Sequence, residues 1–132
     1  MTAVELVNKA IEGRKRSYSP YSHYAVGAAI LFKDGTVVTG ANIENAAYGC
    51  CICAERVALF SAYHKGYNLK EDVEAMAITS ESNRPCAPCG PCRQVMNELL
   101  SKKTKVYLSN LKGDIKEETV ESLLPYGFDD LD

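Results

Sequence analysis

All six cysteines of this 132-residue chain fall in two tight groups: Cys50, Cys51 and Cys53, then Cys86, Cys89 and Cys92. A disulfide framework usually spreads its cysteines along the chain, so two short clusters read first as a metal site. Each group also sits at the start of a helical pattern. Val57, Ala58, Ser61 and Ala62 follow Cys53 at helical spacing. Pro91 suits the first turn of a second helix that runs to about Leu100. A helix N-terminus presents unpaired amide donors and a positive dipole end. Both favour the thiolate, which is the form that binds zinc. A metal shared by the two groups holds both helix starts at one point, and the rest of the fold must allow this.

Spacing leaves two kinds of zinc site open. Cys50 and Cys53 form one C-x-x-C pair, and Cys89 and Cys92 form another, which together is the common pattern of a closed structural site. Three thiolates with one open position make a catalytic site instead. The long segment between the pairs exceeds ribbon spacing and contains an apparent helix and strand. Glu55 stands two residues beyond Cys53, within Cys-Ala-Glu, where a carboxylate can lie close to a metal without binding it. On the residues alone it can equally be a first-turn glutamate that complements its helix dipole.

The remaining pattern describes an α/β chain. Thr2 to about Arg16 has helical periodicity, with Thr2 as cap and Glu5 three residues on. Ala25–Phe32 and Thr36–Ala41 flank Lys33-Asp34-Gly35, and the Asp-Gly step predicts a hairpin. Strands are expected at Val73–Thr79 and Val106–Leu108, with a last helical turn or two at Thr119–Leu124 that ends before Pro125. The order is helix, strand, strand, helix, strand, helix, strand, helix. It implies a sheet covered by helices on its faces, and the opening hairpin makes that sheet mixed.

The length fits one domain over residues 1–132, and 46% hydrophobic with 24% charged residues is ordinary globular composition. The net charge of −2 argues against a surface that neutralises many phosphates, so no nucleic-acid partner is expected. The N-terminal stripe is interrupted by Glu5, Lys9 and Glu12, and no apolar run is long enough to span a bilayer. A cytoplasmic location without membrane attachment is therefore expected. His23 and His64 lack ligand spacing relative to the cysteines.

Cys53-Ala54-Glu55-Arg56, followed by Pro88-Cys89-Gly90-Pro91-Cys92-Arg93-Gln94, resembles the signature of zinc-dependent deaminases. Tyr18-Ser19-Pro20-Tyr21-Ser22, Val26-Gly27-Ala28-Ala29, Gly40-Ala41-Asn42-Ile43-Glu44-Asn45-Ala46 and Leu123-Leu124-Pro125 narrow the match. In order along the chain, these segments resemble the small, homotetrameric cytidine deaminases with three zinc-binding cysteines. That resemblance implies a three-layer α/β/α sandwich with about five strands. It also implies hydrolytic deamination of cytidine and 2′-deoxycytidine in pyrimidine salvage, with one Zn²⁺ per chain.

Carried over residue by residue, the resemblance makes Cys53, Cys89 and Cys92 the ligands and Glu55 the catalytic proton carrier. Arg56 donates to ligand sulfurs and withdraws part of their charge. Asn42 and Glu44 match the ribose-binding pair, and Ala54 belongs to the substrate pocket. Tyr24 stands where phenylalanine is usual, and Ala25 where proline is usual. A tyrosine there keeps the stacking face but adds a hydroxyl that needs a partner. Tyr48 and Phe128 resemble aromatics that a neighbouring subunit adds to the pocket. Cys86 is a spare thiol, because only Cys89 and Cys92 continue into the matching motif. Cys50 and Cys51 are expected to be small packing residues. Two other functions stay in view: a deaminase of this fold acting on another substrate, such as a base within RNA, and a non-enzymatic domain with a closed four-cysteine site.

Overall fold

The computed structural model describes residues 1–131. Helix α1 (Ala3–Arg14) starts with the expected capping box: the Glu5 amide donates to Thr2 Oγ1 at 3.2 Å, and the Thr2 amide donates to Glu5 Oε1 at 3.1 Å. The hairpin follows, with β1 (Val26–Phe32) and β2 (Val37–Ala41). Gly35 in its turn has φ +89°, which a side chain would resist. A short 3₁₀ turn at Tyr48–Cys50 precedes α2 (Ala54–His64). Then come α3 (Leu69–Asp72), β3 (Val73–Ser80), α4 (Gly90–Leu99), β4 (Lys105–Ser109), β5 (Ile115–Thr119) and α5 (Val120–Leu123).

The five strands form one sheet in the order β2-β1-β3-β4-β5. Only β3 and β4 pair in parallel; the other neighbours are antiparallel. The sheet is mixed, as expected, and α4 makes the crossover that a parallel pair needs. Alternation along β1 and β3 sorts their side chains onto two buried faces. Ala29, Leu31, Ala75 and Ala77 pack with Leu6, Val7 and Ala10 of α1. Ala28, Ile30, Phe32, Met76 and Ile78 pack with Ala58, Leu59 and Ala62 of α2 and with Met96 of α4. Burial on both faces explains why these strands read as continuous apolar runs.

Two elements depart from the sequence reading. Strand β5, Ile115-Lys116-Glu117-Glu118-Thr119, adds a fifth strand where the residue pattern alone suggests none. It is a charged edge strand, and edge strands carry such charges to discourage further pairing. The four-residue turn α3 is the second.

The close approach of α2 to the sheet depends on Gly40. A Cβ there would meet the Ala54 carbonyl oxygen at 2.6 Å and the Ala58 amide nitrogen at 2.6 Å. Gly40→Ala therefore pushes against the backbone of α2, where no rotamer change gives relief. Overpacking of this kind costs about 1–3 kcal/mol. The expected result is a lower denaturation midpoint and weaker zinc retention, because α2 begins at Cys53; an unchanged midpoint by urea unfolding counts against this packing.

Candidate active site

The two helix starts meet at the C-terminal end of β3. Cys53 is the N-cap of α2 and Cys89 the N-cap of α4, both with extended backbone, and Cys92 lies in the first turn of α4. Cys53 Sγ is 3.4 Å from Cys89 Sγ, and Cys89 Sγ is 3.2 Å from Cys92 Sγ. All three sulfurs lie within 4.8 Å of one another. Tetrahedral zinc with Zn–S bonds of about 2.3 Å sets sulfurs roughly 3.8 Å apart, so one ion fits among these three with little movement. Three thiols are a soft donor set that suits zinc. Among the described residues, no other group of three ligating side chains converges in this way.

Cys50, Cys51 and Cys86 stand outside the trio. Cys50 falls in the 3₁₀ turn and is exposed, so it neither completes a four-thiol site nor packs as expected. Cys51 is half-buried and accepts a hydrogen bond from the Asn45 amide at 3.2 Å, which secures the loop. Cys86 is half-buried in the wall of the adjoining cleft.

Charge in the trio is distributed unevenly. Hydrogen bonding from Cys92 pulls the Cys53 thiol down to about 5, aided by the Arg56 guanidinium. The same contact and burial push the Cys92 thiol up. Arg56 Nη2 donates to Cys53 Sγ at 3.5 Å, which is the contact expected of a residue that draws charge from sulfur. Arg56 Nε is buried without a hydrogen-bond partner among the described residues.

Glu55 sits in the first turn of α2 and is only 3% exposed. Burial pushes its carboxyl up to about 7, with the neighbouring Cys53 adding in the same direction. A carboxyl that titrates near neutrality can both take and give a proton. A helix-dipole role alone does not call for such burial.

Beside the trio opens a cleft of about 840 Å³, walled by the loops around residues 21–26, 42–48 and 82–89 and by the start of α2. That volume suits a small polar molecule. Asn42, Glu44, Tyr24, Tyr48, Ala54, Glu55 and Arg56 all line it. Asn42 is also a structural clamp. Its Oδ1 accepts from Ser17 Oγ at 2.5 Å and from the Val26 amide at 2.9 Å, and its Nδ2 donates to the Tyr24 carbonyl at 2.9 Å. One Nδ2 hydrogen is left for a ligand. The Glu44 carboxylate accepts from the Tyr21 and Ser22 amides at 3.0 and 3.1 Å and from Ser22 Oγ. These donors, the Ser22 hydroxyl first, hold its pKa below the usual carboxylate range. The pair therefore offers one donor and one fixed anionic acceptor side by side.

The Tyr24 hydroxyl finds its partner in Ser80 Oγ at 2.5 Å. Tyr48 is 78% exposed at the rim of its own chain's cleft, edge-on to Tyr21 at 6.4 Å. Phe128 is 64% exposed and is not part of that cleft's lining; its carbonyl accepts from Gln94 Nε2 and Asn97 Nδ2. Ser17, Ser22 and Ser80 escape the sequence reading. Ser22 ends the Tyr18–Ser22 motif and could have been noticed there, whereas nothing local marks Ser80.

A mixed sheet that brings two helix N-termini together, three thiols at their junction and a buried glutamic acid two residues past the first thiol define the class of zinc-site deaminases. Residues 1–108 match the family model described as the cytidine and deoxycytidylate deaminase zinc-binding region. The chain is 56% identical over 123 residues to a cytidine deaminase of Halalkalibacterium halodurans, covering 93% of this chain and 91% of that one. A cytidine deaminase of Sporosarcina psychrophila is 44% identical over 128 residues, covering 97% and 92%. In three dimensions, a crystal structure of cytidine deaminase from Burkholderia pseudomallei superposes with a TM-score of 0.94 at 47% identity, covering 97% of this chain and all of that one. The chain belongs to the cytidine and deoxycytidylate deaminase family.

Proposed function

We propose that this chain hydrolyses cytidine and 2′-deoxycytidine to uridine and 2′-deoxyuridine with release of ammonia. The observation that carries the reading is Glu55, buried beside three convergent thiols at the end of a nucleoside-sized cleft. Relatives named as cytidine deaminases across nearly the whole chain support it.

Cys53, Cys89 and Cys92 would hold the metal. When bound there, Zn²⁺ supplies Lewis acidity that brings the pKa of water toward about 7. Glu55 takes the proton of the attacking water and delivers it to N3 of the cytosine. The water oxygen adds to C4. Glu55 then takes the proton of the new C4 hydroxyl and passes it to the amine, the C4–N bond breaks as the C4=O bond forms, and ammonia leaves. Arg56 steadies the sulfur charge at Cys53. Asn42 and Glu44 bind the sugar hydroxyls, the amide as donor and the carboxylate as acceptor. Tyr24 and Ala54 wall the base. Such a reaction belongs to pyrimidine salvage in the cytoplasm, and no helix among the described residues is long and apolar enough to cross a membrane.

Phe128 and the outer face of Tyr48 act across subunits in a homotetramer, each completing a neighbour's pocket. Their high exposure in the single chain supports this. Dilution to monomers is then expected to abolish turnover per chain, which enzyme-concentration series with light scattering would reveal; constant specific activity down to monomers contradicts shared sites. The reaction itself is tested by ammonia release from cytidine, in competition with a cytosine-containing oligonucleotide. Cytidine turnover unaffected by the oligonucleotide is expected. Preference for the oligonucleotide would move the substrate to nucleic acid.

A further inference from the structure

Tyr24 belongs to a chain of hydroxyls that runs out of the cleft wall. Its oxygen lies 2.5 Å from Ser80 Oγ, Ser80 Oγ lies 3.2 Å from Ser82 Oγ, and Ser82 Oγ lies 2.6 Å from the Arg84 carbonyl oxygen. The last group can only accept, and each hydroxyl has a single proton to give. Ser82 must therefore donate to Arg84, Ser80 to Ser82, and Tyr24 to Ser80. The proton order is set from the far end, and within this chain the phenol donates to Ser80.

Ser80 is the last residue of β3 and is fully buried. It sits on a central strand of the sheet, while Tyr24 and Ser82 lie outside the strands and line the cleft. Ser80 thus ties these two lining residues to the rigid part of the fold. Tyr24 is 41% exposed, so packing against its own chain covers it only in part. An anchored hydroxyl limits the freedom of its ring before a ligand arrives, and ordering a wall residue in advance spares the binding step that cost. The half-buried Cys86 thiol lies beside Ser80 and Tyr24.

From this geometry we infer that Ser80 is a positioning residue for substrate binding, which holds the Tyr24 ring as a preformed wall of the cleft through the Tyr24–Ser80–Ser82–Arg84 hydroxyl chain. The inference rests on the cleft being the nucleoside site. Its effect belongs to binding and not to the chemical step, because the chain touches neither Glu55 nor the three thiols by any hydrogen bond among the described residues.

The test is a double-mutant cycle on the zinc-loaded enzyme with wild type, Ser80→Ala, Tyr24→Phe and the double variant. Ser80→Ala is expected to raise the KM for cytidine by roughly five- to tenfold, the scale of one lost hydrogen bond, with kcat and zinc content unchanged. In the Tyr24→Phe background the same change is expected to do nothing further. An equal Ser80→Ala effect in both backgrounds overturns the inference, as does a loss in kcat with KM unchanged. Ser82→Ala provides a milder second variant, expected to raise KM less than Ser80→Ala does. Thermal midpoints of the four proteins measure the same coupling without substrate. Absence of cytidine turnover in wild type defeats the proposed function, whereas additive shifts in midpoint defeat the Ser80–Tyr24 tie, so the two failures are distinct.

Discussion

Glu55→Gln is expected to lower cytidine turnover by roughly 10²- to 10⁴-fold, the range in which a positioned acid–base group contributes, while zinc content stays at one ion per chain. The substitution keeps the shape of the side chain and removes its ability to take a proton. Glu55 is buried at the first turn of α2 and is not one of the three converging thiols. The variant should therefore fold and load metal normally, with the defect confined to kcat. Ammonia release and metal analysis on the same preparations check both halves. Full activity in Glu55→Gln would reduce Glu55 to a helix-dipole residue. Loss of zinc together with activity would show that it supports the metal site and leave its proton role undemonstrated.

Cys92→Ala is expected to empty the site, and Cys86→Ala to leave it filled. The two cysteines are similar in sequence, since Cys86-x-x-Cys89 and Cys89-x-x-Cys92 have the same spacing. The structure separates them: Cys92 is fully buried with its sulfur 3.2 Å from that of Cys89, whereas Cys86 lies in the cleft wall outside the converging trio. Losing one of three protein ligands leaves a two-thiol site, and structural contacts at both helix starts go with it. The expected outcome for Cys92→Ala is near-complete loss of zinc after dialysis, loss of turnover and a lower thermal midpoint. Retained zinc in Cys92→Ala, or lost zinc in Cys86→Ala, would shift the ligand register by one C-x-x-C step.

The features legible in the sequence are those that local chemistry determines. Thr2 and Glu5 form their capping box from residues three apart, and Asp34-Gly35 makes its turn without help from the rest of the chain. Cys53 and Cys89 open their helices where the periodicity starts. Strand β5 was not legible because Lys116, Glu117 and Glu118 suit solvent better than a sheet; its strand character comes from pairing with β4. The choice between three and four thiols was not legible either. Cys50 lies exposed in the 3₁₀ turn at Tyr48–Cys50 and outside the converging trio, which spacing does not encode. The resemblance to three-cysteine deaminases points to three, where the residues alone leave both open. Tyr24 could be seen to need a hydroxyl partner, but Ser80 lies 56 residues further along the chain, and no periodicity links the two. The clamp that Asn42 places on Ser17, Tyr24 and Val26 is hidden for the same reason, because it joins two loop positions and the start of β1 to one amide.

X-ray absorption at the zinc edge of the purified, substrate-free protein tests the central claim most directly, since an open site and a closed one differ in a countable ligand. Three sulfurs and one oxygen or nitrogen neighbour are the predicted shell, with one coordination position left for water by Cys53, Cys89 and Cys92. Four sulfurs would make the site closed and structural, bring Cys50, Cys51 or Cys86 into it, and contradict a hydrolytic role for Glu55.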